Sequence, residues 1–212
     1  MRRLPVYLLL DTSGSMTGEP IESVKNGVQM LLSALRGDPY ALESVFLSVI
    51  TFDSTANQVV PLTELTQFQA PNIPANGATA LGDALSLVAR QADSEVAKST
   101  PEMKGDWKPL VFIMTDGGPT DDWTRGLREF QQRKWGIVVA CAVGAGADES
   151  VLRQITESVV RLDTADSATI AAFFKWVSAS VSAGSRSAES GKEVTGLDQL
   201  PPPPAEINIV PV

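Results

Sequence analysis

Histidine is absent from the 212-residue sequence, and cysteine occurs once, at Cys141. Without an imidazole the chain lacks the commonest general base, every Ser-His or Cys-His nucleophile pair, and the commonest nitrogen ligand of transition metals. A single cysteine excludes an internal disulfide and a thiolate zinc cage. Its apolar neighbours Val138, Val139, Ala140, Ala142 and Val143 mark Cys141 as a small core residue rather than a nucleophile. Any bound metal must therefore sit among oxygens.

Long apolar runs are missing as well. None approaches the roughly 20 residues that span a bilayer. The opening Met1-Arg2-Arg3 and the apolar stretch to Leu10 look like a secretion signal only until Asp11 interrupts them, with no small-residue cleavage site beyond. A cytoplasmic location without a membrane partner is expected. Positive charge is also scarce: 17 Lys and Arg stand against 25 Asp and Glu, a net charge of -8. Such a balance disfavours nucleic acid and anionic lipid, and favours cations or basic surfaces.

What is present fits one globular domain. Hydrophobic residues at 43% and charged residues at 20% are ordinary values, and a chain of this length can bury roughly 70% of its unfolded surface. Four apolar runs end in loop-forming residues, at 5–11, 44–53, 109–116 and 136–144. They are continuous rather than alternating, as expected of parallel strands covered on both faces. Amphipathic helical patterns lie between them. One places Ile21, Val24, Val28, Leu31, Leu32 and Leu35 together, and another Leu81, Ala84, Leu85, Val88, Ala92 and Val96. A third carries Trp123, Leu127 and Phe130, a short one covers 149–155, and the last groups Ile170, Phe173, Phe174, Val177 and Val181. Residues 57–62 read as a short antiparallel edge strand, and 158–162 as a brief further strand. The expected architecture is a doubly wound, Rossmann-like α/β sheet, mostly parallel, with one antiparallel edge and helices on both faces. Residues 1–183 form the domain. Residues 184–212, rich in Ser, Gly and then Pro, are expected to be a solvated tail; docking of Ile207 to Val210 as an added strand is the alternative.

In open α/β sheets ligands collect at the carboxyl ends of the strands, where the strand order reverses. Asp11-Thr12-Ser13-Gly14-Ser15 stands at such a position, with a carboxylate and two hydroxyls able to converge on one hard cation. Asp116, in Thr115-Asp116-Gly117-Gly118-Pro119, ends another strand in the same way. Thr79 stands where the second helix begins. Each piece also has an ordinary role, in a turn or as a helix cap.

Taken in order, these segments resemble the metal-ion-dependent adhesion site of von Willebrand factor A domains: Asp-x-Ser-x-Ser after the first strand, a Thr in a Gly-Gly-Thr-like loop, and Asp-Gly after the fourth strand. The resemblance covers residues 4 to about 182. It implies that Ser13 and Ser15 touch the ion, that Thr79 does so directly or through water, and that Asp11 and Asp116 act mainly through water. Ala78 stands where the family usually has Gly, which puts the placement of Thr79 in question. Asp53, Asp121 and Asp122 lie near the same rim; Asp53 is expected to open a turn, and Asp121 and Asp122 to begin the following helix.

The run from Thr115 to Asp121, with Asp11 to Met16, resembles the bacterial tellurite-resistance TerY-like branch. That likeness implies stress phosphosignalling with a protein kinase and a metal-dependent PP2C-type phosphatase. The implied function is a metal-dependent protein-binding module without catalytic activity, whose partner supplies a carboxylate to Mg2+, or to Mn2+ or Ca2+. The alternatives are a Mg-dependent phosphoryl-transfer enzyme, for which no phosphate-binding Gly-x4-Gly-Lys-Ser/Thr loop is present, and a metal-free scaffold of the same fold.

Overall fold

The structure is a computed structural model and describes residues 2–211. Seven strands form one sheet: β1 Leu4–Asp11, β2 Val45–Phe52, β3 Ala56–Glu64, β4 Leu110–Thr115, β5 Ile137–Val143, β6 Val159–Leu162 and β7 Asn208–Ile209. Their order is β3-β2-β1-β4-β5-β6-β7. The central pairs β1·β2, β1·β4, β4·β5 and β5·β6 are parallel, and β3 and β7 close the two edges in antiparallel register. Only residues 53–55 separate β2 from β3, too few for a crossover, so that pair must be a hairpin.

The unbroken hydrophobicity of the strands follows from burial on both faces. Every residue of β1 is buried; Val6, Leu8 and Leu10 enter one core while Tyr7 and Leu9 enter the other. The first core is covered by α1 (Glu19–Arg36) and α6 (Ser167–Glu189), which contribute Val24, Val28 and Leu31 and Phe173, Phe174 and Val177. The second is covered by α3 (Leu81–Glu95), α4 (Trp123–Gln131) and α5 (Glu149–Ile155), through residues such as Leu85, Val88, Phe130 and Leu152. Helices α3 and α4 meet at Gly82 and Gly126, where a β-carbon on Gly126 would lie 2.0 Å from the Gly82 carbonyl oxygen. Any side chain there would force the helix starts apart, and with them the loops around the candidate site.

The doubly wound α/β architecture is as the sequence implies, with three differences. A six-residue helix, α2 (Pro39–Ser44), precedes β2; Asp38 caps it by accepting a hydrogen bond from the Tyr40 amide. With two buried residues it is too short to show a hydrophobic period. Strand β3 extends to Glu64, beyond the short edge expected at 57–62. The largest difference is at the C-terminal end. Helix α6 continues to Glu189, past the expected boundary at residue 183, and the segment after it is packed rather than solvated.

Val194, Leu200, Ile207 and Val210 of that segment are buried, and the Trp176 indole N–H donates to the Pro201 carbonyl at 2.8 Å. Asn208–Ile209 then pairs with Arg161 and Val160 of β6, and the Val210 amide donates to Val159 at 2.9 Å. Ile207 joins the α1/α6 core and Val210 the opposite one, so the tail wraps around the sheet edge. It covers a strand that would otherwise leave its backbone donors and acceptors unpaired.

Candidate metal centre

The strand order reverses between β1 and β4, the point at which the connections diverge to opposite sides of the sheet. Asp11 is the last residue of β1, and Asp116 follows Thr115, the last of β4. Pairing of these two strands sets the carboxylates side by side.

Asp11 is fully buried. Its Oδ1 accepts from the Ser13 amide at 2.8 Å, and its Oδ2 accepts from the Thr115 hydroxyl at 2.5 Å. Both bonds orient the carboxylate and fix the turn that follows. Ser13 Oγ lies 3.0 Å from Ser15 Oγ, and the Ser15 hydroxyl donates to Asp116 Oδ1 at 2.8 Å. Four oxygen-bearing side chains thus converge, from two loops. The spacing fits a small divalent ion: neighbouring ligands of an octahedral magnesium, each at roughly 2.1 Å, stand about 3.0 Å apart. Among the described residues no three His, Cys, Asp or Glu side chains cluster as a metal cage. The converging groups are two hydroxyls and two carboxylates.

Thr79 arrives on the loop before α3. That loop is tied to the Asp11 turn by two backbone bonds, Asn76 N–H to the Thr12 carbonyl at 2.8 Å and Gly14 N–H to the Gly77 carbonyl at 3.0 Å. Gly77 has φ of +77°, and a β-carbon on it would be 2.5 Å from Ser54 Oγ, so glycine is required. Ala78 is different. It is exposed, and among the described residues no non-glycine has positive φ, so its methyl is accommodated. Thr79 is itself clamped to the Asp116 loop: its amide donates to Thr120 Oγ1 at 3.0 Å, and the Thr120 amide donates back to the Thr79 carbonyl at 2.9 Å. Its hydroxyl makes no hydrogen bond among the described residues, and lies 4.0 Å from where a β-carbon on Gly117 would be. The capping role open to Thr79 in the sequence is not the one it has. Ala80 occupies the cap position of α3 with no side-chain bond.

That cap comes from Asp121, whose carboxylate accepts from the Gly82 amide at 3.0 Å and the Asp83 amide at 2.8 Å. The expectation that Asp121 begins the next helix is thereby corrected: it serves the preceding one, which Gly82 and Gly126 bring within reach. Asp122 does occupy the cap position of α4, though its side chain makes no capping bond. Asp53 opens a turn as expected, accepting from the Thr55 amide at 3.2 Å. Thr115 and Thr120 were not anticipated. Their role depends on partners about 100 and 40 residues away in the chain, which no local pattern records.

Burial raises the Asp11 carboxyl above its usual range; hydrogen bonds from Ser13 and Thr115 oppose the shift, and the nearby Asp116 charge adds to it. A cation between the two carboxylates would relieve both destabilising influences.

The von Willebrand factor type A domain family profile matches residues 6–174. An uncharacterised protein of Synechocystis is 35% identical over 123 residues, which cover 55% of this chain and 26% of that protein. Among solved structures, a von Willebrand factor type A protein from Catenulispora acidiphila superimposes with a TM-score of 0.67 at 19% identity, covering 86% of this chain and 43% of that one. Proximal thread matrix protein 1 from the mussel byssus, with a zinc-occupied MIDAS motif, superimposes with a TM-score of 0.59 at 19% identity, covering 84% and 45%. The chain spans less than half the length of these proteins.

Proposed function

The chain belongs to the von Willebrand factor type A domain family, and from that premise we propose that it is a metal-dependent protein-binding module whose ion is held by Asp11, Ser13, Ser15, Thr79 and Asp116. Domains of this family are commonly interaction modules, and a neighbour of the same fold carries zinc at its MIDAS motif.

The observation that carries the reading is the convergence of Ser13 Oγ, Ser15 Oγ and Asp116 Oδ1 at 3.0 and 2.8 Å, with Thr79 held beside them. The ion would supply a Lewis-acidic position. Neutral hydroxyls nearest to it, with Asp11 turned back onto Ser13 and Thr115, would leave that acidity unquenched, so that a carboxylate of a partner protein can complete the shell. Magnesium is the expected ion, with manganese or calcium as substitutes.

A catalytic role is not proposed. The chain has no histidine, and burial pushes the Cys141 thiol far up, so neither an imidazole nor a thiolate adjoins the hydroxyls. The narrower reading, a TerY-like protein in tellurite resistance and stress signalling with a protein kinase and a PP2C-type phosphatase, rests on the Thr115 to Asp121 segment together with Asp11 to Met16, and implies a cytoplasmic location. Among the described residues no helix is long and apolar enough to cross a membrane. Co-purification of either enzyme with the magnesium-loaded protein and not with Asp116→Ala is its expected outcome; capture indifferent to the substitution contradicts it.

Titration of magnesium into metal-stripped protein tests the main reading. One saturable site is expected, weakened by about tenfold or more in Thr79→Val, which keeps the side-chain shape and removes the hydroxyl. A wild-type protein that binds no magnesium, manganese or calcium contradicts the reading and leaves the metal-free scaffold.

A further inference from the structure

The connections at the carboxyl ends of the parallel strands and before the helix starts comprise residues 11–18, 53–55, 76–80, 116–122, 144–148 and 163–166. They carry no lysine and no arginine. They carry eight aspartates: the five already described at positions 11, 53, 116, 121 and 122, together with Asp148, Asp163 and Asp166. With these eight set aside from the 25 acidic residues, 17 remain against 17 Lys and Arg. The rest of the sequence therefore sums to zero, and the eight rim aspartates match the net charge of -8; one of them, Asp163, is paired with Arg161 of β6 at 3.0 Å.

Local structure explains each aspartate singly. Asp148 caps α5, accepting from the Ser150 and Val151 amides, and Asp166 caps α6 through the Thr169 amide. It does not explain the missing cations, since asparagine or serine caps a helix as well as aspartate does. Five helix N-termini, each equivalent to roughly half a positive charge, and one divalent ion still leave the rim negative. A second observation lies at its centre. Thr79 is only 7% exposed, yet its hydroxyl is unpartnered among the described residues and faces the Asp116 loop.

On the metal-centre reading, we infer that this rim is a docking face for a cationic protein surface that presents a single carboxylate. The carboxylate completes the ion's shell, while lysines and arginines around it meet the surrounding aspartates. An acidic or neutral surface with the same central carboxylate is rejected by the rim, which supplies specificity that the ion alone lacks. Contact between the rims of two copies is disfavoured for the same reason, because each would set eight aspartates against eight.

Four synthetic peptides test this on the magnesium-loaded protein: a central glutamate flanked by lysines, by serines or by glutamates, and the lysine peptide with glutamine at its centre. The lysine-flanked glutamate is expected to bind at least about tenfold more tightly than the serine-flanked one, with the gap closing as NaCl rises from about 20 to about 300 mM. The glutamate-flanked peptide should not bind. Combined replacement Asp122→Asn, Asp148→Asn and Asp166→Asn should slow association of the lysine peptide about tenfold while leaving the magnesium titration and thermal unfolding unchanged, since asparagine caps a helix as well as aspartate. Equal affinity of the lysine and serine peptides, or no binding of any peptide to metal-loaded protein, overturns the inference. A lysine preference that persists with glutamine at the centre and after chelation overturns the metal-centre reading, and with it the single-carboxylate half of this proposal.

Discussion

The two ends of the sheet treat charge in opposite ways. At the end remote from the candidate site, opposite charges are paired. Arg3 meets Asp106 at 2.6 Å, Lys108 meets Glu193 at 2.6 Å, and Arg186 meets Asp38 at 2.9 Å. At the site-bearing end, most carboxylates are held by backbone amides and hydroxyls instead; of the eight rim aspartates, among the described residues only Asp163 is paired with a cation, Arg161 of β6 at 3.0 Å. On the docking inference, one end is arranged for stability and the other for reception of positive charge. Stability and function are thus separable, and substitutions should divide along the same line.

The largest effect belongs to the rim. Asp116→Ala should weaken magnesium binding about a hundredfold in calorimetric titration, with little change in the metal-free unfolding curve, since Asp116 carries no cation to orphan. Next comes the paired end. The Asp106 side chain is 6% exposed and also accepts from the Ala97 amide at 2.8 Å. Asp106→Ala should lower unfolding stability in urea by about 3 kcal/mol, the order expected when a largely buried pair loses one partner, while the magnesium titration stays as in wild type. Loss of magnesium binding in Asp106→Ala protein that is still folded would break the division.

Ile207→Ala tests whether the tail belongs with the stabilising end. Removal of this buried side chain should cost about 2 kcal/mol by thermal or urea unfolding, again without change in metal affinity. An unaltered unfolding midpoint would mean that the tail adds nothing to the core it touches.

The smallest effect is a difference in the sign of the acid response. Burial alone would raise the Asp38 carboxyl, but hydrogen bonds from Ser182, Arg186 and the Tyr40 amide outweigh it and hold it below the usual range. Its contribution is present above the ordinary aspartate value of about 4 and disappears as pH falls through its lower folded value. Asp11 is raised, so its ionisation opposes folding of the metal-free protein, and that penalty grows as pH rises through its folded value. Metal-free Asp11→Asn should therefore gain on wild type as pH rises above about 4, whereas the deficit of Asp38→Asn should shrink as pH falls below it. Parallel responses of the two variants would show that the two ends do not differ.

The sequence discloses those parts of the molecule that depend on local repetition. Two-sided burial of β1, β2, β4 and β5 leaves continuous apolar runs, and one-sided burial of α1 and α3 leaves a helical period. The site segments are legible because hydroxyls and a carboxylate at fixed spacing follow a strand directly. What stays hidden depends on distant partners. Asp121 caps α3 only because two glycines let α3 and α4 touch, and Thr115 holds Asp11 across 104 residues. The tail strand stands in the sequence only as the alternative to a solvated tail, for the same reason: its apolar residues are few, and their burial is decided by Trp176, β6 and the two cores they join.

The account stands most directly on where an ion sits. Crystals of the protein soaked in manganese, with anomalous scattering recorded at the manganese edge, should show one ion within bonding distance of Ser13 Oγ, Ser15 Oγ and Thr79 Oγ1, with Asp11 and Asp116 behind it. A strong anomalous peak elsewhere, with these hydroxyls still bonded to one another and to Asp116, would contradict the central claim.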